Sequence, residues 1–196
     1  RHKVGVAGST DCSVDGDSYS AGETLVGVQI TDNITALSEG SIRLCVIGKH
    51  TNLTWQGLGS ATSVTWTKDV TAATVSDVTS TKPNSDYRDG EVIDVQIVFD
   101  EVVNVTGTPQ LTLENGSSNA IANYASGTGT ATLTFNYTVG ASDVSADLDY
   151  AGPGSLGLNS GTINDLANNP SNLTLVAPGA TNSLGDNKAI VIDNTA

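Results

Sequence analysis

Ile93, Val95, Ile97 and Phe99 alternate with Asp94, Gln96 and Val98. A period of two puts four large apolar side chains on one face of an extended strand. The turn that feeds it lies within Tyr87-Arg-Asp-Gly-Glu91. A worn copy of the same stretch lies upstream, Tyr19-Ser-Ala-Gly-Glu-Thr-Leu-Val-Gly-Val-Gln-Ile30. Both carry Tyr-x-x-Gly-Glu, an apolar residue two positions on, and Val-Gln-Ile. The upstream copy has one extra residue, and Gly27 inside a strand pattern reads as a β-bulge. Beyond it Val28 aligns with Val95, Gly40 with Gly107 and Leu44 with Leu111. The repetition predicts two unequal copies of one β unit, laid end to end.

Other stretches support an all-β reading. In the first copy, strands are expected at 4–7, 25–30, 41–47 and 63–67, with Val64 and Trp66 facing inwards. In the second copy, Val75 and Val78 open the unit, and Leu111 and Leu113 make a strand before the Asn115-Gly116 turn signal. Ala120, Ala122 and Tyr124 alternate, as do Leu133, Phe135, Tyr137 and Val139. Leu148 with Tyr150, Leu173 with Leu175, and 189–192 read as further strands. No segment keeps a helical period over three turns. Many short strands separated by turn signals predict β-sandwiches.

Asp-x-Thr-Ala closes each copy, at Asp69-Val-Thr-Ala72 and at Asp193-Asn-Thr-Ala196. The expected division is therefore a small domain over 1–72 and a larger one over 73–196. The abrupt start at Arg1-His-Lys-Val reads as an internal fragment of a longer chain. The net charge is −13 with only eight Lys and Arg. That argues against a nucleic-acid partner, because phosphate binding needs clustered cations. No apolar run approaches the roughly 20 residues of a helical membrane span. The two cysteines, Cys12 and Cys45, fall in the small unit, which has little core to stabilise it. With a composition that looks extracellular, they are expected to pair rather than stay as buried thiols.

Several pieces resemble the immunoglobulin-like, cadherin-like repeats of large bacterial surface proteins and adhesins. They are Tyr87-x-x-Gly90-Glu91, Phe99-Asp-Glu-Val102, Gly107-Thr-Pro-x-Leu-x-Leu113, Tyr124-x-Ser-Gly-x-Gly-Thr130, Leu133-x-Phe-x-Tyr137, Asp147-Leu-Asp149 and Ile192-Asp-x-Thr-Ala196. The resemblance covers 73–196 well. It covers 1–72 only through Tyr19-x-x-Gly-Glu23, the Gly40 to Leu44 match and Asp69. It implies two tandem immunoglobulin-like sandwiches, the first smaller, on a cell surface outside the cell. The implied role is that of a non-catalytic adhesin stalk whose partners are neighbouring repeats and a glycan or protein on another cell. Fold-level likeness alone does not carry function.

Calcium is the candidate cofactor, otherwise none, because hard oxygen ligands from converging acidic loops suit it; the alternative is that the acidity only keeps an exported chain in solution and that Asp69 and Asp193 simply end strands. Asp69 with Asp86, Asp89 and Glu91 would form one joint. Asp15, Asp17 and Glu23 would face a preceding domain, and Asp193 a following one. An alternative function places a ligand on the first unit at Trp55, His50 and Asn52, since loop aromatics favour recognition. A Lys–Asn isopeptide bond through Lys82 or Lys188 is disfavoured by their polar surroundings. The Asp147–Asp149 pair lacks a histidine or nucleophile at a catalytic spacing, so no enzyme is expected.

Overall fold

The computed structural model describes residues 1–13, 19–20, 34–50, 52, 54–116 and 118–194. The fold is all-β, and its chain forms two compact units, Arg1–Val70 and Thr71–Ala196. The aligned stretch from Leu25 to Ile30, with Gly27 and Val28, lies outside the described residues.

In unit 1, strands β1 (His2–Val6), β2 (Gly40–Val46) and β3 (Thr62–Lys68) make an antiparallel sheet with β2 in the centre. Ile42 and Cys45 of β2 are fully buried on opposite faces, as their odd spacing requires. Cys12 is disulfide-bonded to Cys45, with 5.5 Å between the Cα atoms. The bond ties the loop after β1 to the middle of the sheet. The Tyr19 hydroxyl donates to the Cys12 carbonyl at 3.0 Å, and the Lys3 ammonium lies 4.7 Å from the Tyr19 ring centroid. β3 corrects one expectation. Val64 is 54% exposed and Trp66 is 36% exposed, so neither faces inwards to a core. Alternation in Val64-Thr-Trp66 correctly gives a strand, but this strand is the sheet's edge.

Unit 2 is organised by β6 (Val92–Thr106). Before it come β4 (Val75–Thr79) and β5 (Ser85–Tyr87). After it come β7 (Gln110–Leu113), β8 (Ala120–Ser126), β9 (Thr130–Thr138), β10 (Leu156–Gly157), β11 (Thr162–Asp165) and β12 (Ile190–Ile192). Among the described residues one curled sheet runs β10-β7-β8-β9-β6-β11, with β4 also on β6. β6 is irregular between Val98 and Val103, where its register on β9 shifts. Its first half takes β4 as neighbour (Val75 opposite Phe99), and its second half takes β11 (Asp165 opposite Val103). One long strand therefore serves two neighbours placed end to end.

Ile93, Val95 and Ile97 are fully buried and Phe99 nearly so, sharing a core with Leu111, Leu133, Phe135 and Tyr137. Burying each such side chain contributes about 2 kcal/mol before the entropy of ordering it is counted. The core is closed by β12, which pairs in parallel with β5, and by Leu148, Tyr150 and Leu184. Leu148 and Tyr150 are buried as their alternation predicts, yet they form no strand; Tyr150 makes only an isolated bridge to Leu113. Leu173 and Leu175 likewise lie outside any strand, with Leu175 buried. A single α-helical turn, α1 (Leu184–Asn187), among the described residues of unit 2 starts on Ser183, whose hydroxyl accepts from the Asp186 amide.

Candidate functional site

Two groups of acidic residues in unit 2 lie at opposite ends of the first half of β6. At the entry pole, Asp100 accepts from the Thr74 amide at 2.8 Å and from the Thr74 hydroxyl at 2.7 Å. Those bonds hold the Asp100 carboxyl below the usual carboxylate range. The exit pole lies at the start of β6. There the Asp193 amide donates to the Tyr87 carbonyl and the Asp89 amide to Asn194 Oδ1. Eight residue steps along the strand take Val92 to Asp100, about 26 Å at 3.3 Å per step.

This arrangement regroups the expected calcium ligands. Asp86, Asp89 and Glu91 lie beside Asp193 at the exit pole, far along β6 from where the chain enters the unit. Asp86 and Asp89 are exposed. Glu91 is already engaged, its Oε2 accepting from the Arg88 amide at 2.7 Å. Among the described residues, no three carboxylates of this pole bring an oxygen within 4.8 Å of one another. The Tyr-x-x-Gly-Glu motif thus has a local structural account. The Tyr87 hydroxyl donates to the Pro83 carbonyl, the Gly90 amide to Val139, and Glu91 braces Arg88. Asp69 is half-buried one residue before the end of unit 1. Asp15, Asp17 and Glu23 lie outside the described residues.

Two further acids meet at the entry pole, a pair that no pattern in the sequence singles out. Glu101 and Asp165 each bring a carboxylate oxygen to within 4.8 Å of the other. Asp165 is 2% exposed, and its two oxygens accept from the backbone and side-chain N–H groups of Asn169 at 2.8 and 2.7 Å. The signal was an aspartate opening the tight loop Asp165-Leu-Ala-Asn-Asn-Pro170. What it lacked was any hint that Glu101, on a strand distant in sequence, would lie opposite.

The Asp147–Asp149 pair does share one face. Its Oδ2 atoms would lie 3.5 and 2.9 Å from a β-carbon placed on Gly185, so both carboxylates face that residue. Asp149 is buried and accepts from the Tyr150 and Gly179 amides. Asp147 is pushed up by its own desolvation and by the Asp149 charge.

In unit 1, the Arg1 guanidinium lies 4.6 Å and the Lys49 ammonium 5.4 Å from the Trp55 ring centroid. Such cations are attracted by the ring's negative face, the same surface a sugar would stack upon. Asn52 Oδ1 accepts from the Thr54 amide and hydroxyl, and the His50 amide donates to the Thr54 carbonyl. Asn52 is thus committed to shaping the loop, while His50 is exposed beside a 340 Å³ depression formed with Gly48, Lys49, Gln56, Gly57 and Ser60. Lys82 and Lys188 are both partly exposed.

No protein-family model, no characterised protein and no solved structure matches this chain. Among the described residues, no helix is long and apolar enough to cross a membrane.

Proposed function

We propose that the chain is a non-catalytic spacer from an extracellular surface array, a pair of immunoglobulin-like repeats whose contribution is reach. The observation that carries this reading is the polarity of unit 2. Its chain enters at Thr74 beside Asp100 and leaves at Asp193 beside Tyr87, at opposite ends of the first half of β6. A module with its termini at opposite poles adds its own length each time it is repeated. One with adjacent termini would only add bulk.

Both ends are also clasped. Thr74 is held by Asp100, and Asn194 Nδ2 donates to the Gly140 and Asp143 carbonyls, each at 2.9 Å. β4 runs from the entry pole antiparallel to β6, so tension on the termini would load its ladder along the strand axis. In that geometry the hydrogen bonds resist together, not one after another. The disulfide agrees with an oxidising compartment.

The test is solution X-ray scattering on one, two and three fused copies of residues 71–196. Each added copy should lengthen the maximum dimension by a constant step of about 26 Å or more. Growth with the cube root of mass would overturn the spacer reading.

A further inference from the structure

The loop between β7 and β8 holds a group of reactive character that a spacer does not need. Of the sixteen asparagines, only Asn115 precedes a glycine. Gly116 has φ +88°, and a β-carbon there would meet the Val144 Cγ2 at 3.0 Å and the Val144 carbonyl at 3.1 Å. Glycine is required, and without a side chain its nitrogen stays open to a neighbour. The Gly116 N–H donates to Glu114 Oε1 at 2.9 Å. Asn115 is 3% exposed, its side chain close enough to the Tyr137 hydroxyl to influence it. Its Oδ1 accepts no hydrogen bond among the described residues, so that end of the carboxamide is not anchored. Glu114 and Gly116 are exposed, so water reaches the loop.

We propose that Asn115–Gly116 is a site of spontaneous covalent modification, at which the Gly116 nitrogen closes on Asn115 Cγ with the Glu114 carboxylate accepting the amide proton. The N–Cγ bond forms and the Cγ–Nδ2 bond breaks. Nδ2 leaves as ammonia, carrying the proton that Glu114 passes on through water, and a succinimide remains. Water then opens either imide carbonyl to give aspartate or isoaspartate. Glu114 acts here as a general base on a reacting atom. The product carries a carboxylate at a buried position beside Tyr137, whose hydroxyl already donates to Asp143. Because the Asp143 backbone carbonyl holds Asn194, the change would loosen the exit pole.

Intact mass and peptide mapping on the whole chain, kept folded at 37 °C, test this. Residues 114–116 should first lose about 17 Da and later reach about 1 Da above the starting mass. Hydroxylamine should cut the first species between Asn115 and Gly116, which separates it from an isopeptide bond of equal mass loss. With Glu114 as base, the rate across the neutral pH range stays far below the rise of about tenfold per pH unit that hydroxide catalysis gives. Glu114→Gln should slow the reaction at least about tenfold at neutral pH. Absence of both mass species, a log-linear pH profile in the wild type, or an unchanged rate in a folded Glu114→Gln variant would each overturn the proposal.

Discussion

Replacing both members of the Cys12–Cys45 bridge by alanine probes the weaker half of the chain. Alanine suits Cys45 better than serine, because Cys45 is fully buried and a hydroxyl there would need a partner. The bond spans 33 residues of sequence. Restoring that loop's freedom to the unfolded chain costs about 3.7 kcal/mol in the chain-entropy model. A domain of this size has a total stability on the order of 4 to 10 kcal/mol, so the loss removes a large part of it. Both tryptophans, Trp55 and Trp66, lie in unit 1. Fluorescence excited selectively at tryptophan therefore follows that unit. With a urea slope near 1 kcal/mol/M, the midpoint should drop by about 3 to 4 M. Chemical reduction of the wild type should reproduce the shift. A loss below about 1 kcal/mol in both cases would refute the view that this bond, more than the small core, holds unit 1 folded.

Gly127→Ala should destabilise unit 2 by more than about 2 kcal/mol, read by far-UV circular dichroism, because φ is +114° and the new β-carbon would sit 2.2 Å from the Thr132 carbonyl. Tyr150 is pushed up to about 12 by desolvation and by Asp149, and Tyr137 is raised chiefly by desolvation. Both stay protonated when folded, so their contribution is whole below pH 10 and is lost as pH climbs from there through their folded values. Unfolding free energy should accordingly fall over pH 10 to 12, and a flat profile there would contradict the burial of these phenols. Asp86→Asn combined with Asp89→Asn should leave the melting temperature in millimolar calcium within about 1 °C of wild type. A calcium-specific loss of stability in that variant would restore the exit-pole loop as a metal site.

The strands that could be read from residues alone are those whose two faces meet different surroundings. Ile93 to Phe99 and Leu133 to Val139 alternate because one face is core and the other is not. Val64 and Trp66 show the limit of the same signal. Period two says which side chains share a face, and nothing about whether anything covers it. Leu148 and Tyr150 show a second limit, since an extended stretch can bury alternate residues without joining a ladder. The neighbours of the acidic 86–91 loop are silent in the sequence for a different reason. The 86–91 loop lies beside Asp193 because β12 pairs with β5 about a hundred residues earlier in the chain, with Ile192 opposite Tyr87. Pairing of that range leaves no local periodicity. Asp165 and Glu101 come together through the β11–β6 ladder, equally silent in either segment read by itself.

The parallel pair of β5 and β12 has a consequence for how the molecule is made. Ser85–Tyr87 leaves the ribosome early, and its partner Ile190–Ile192 is nearly the last of unit 2 to be synthesised. Until then β5 offers bare backbone that another chain's strand would take up. Each nascent unit is thus left ajar for most of its translation and latched by its final residues. A protein carrying many such units in a row would meet that hazard once per unit, and a chain broken off before Ile190 would carry its last unit unlatched.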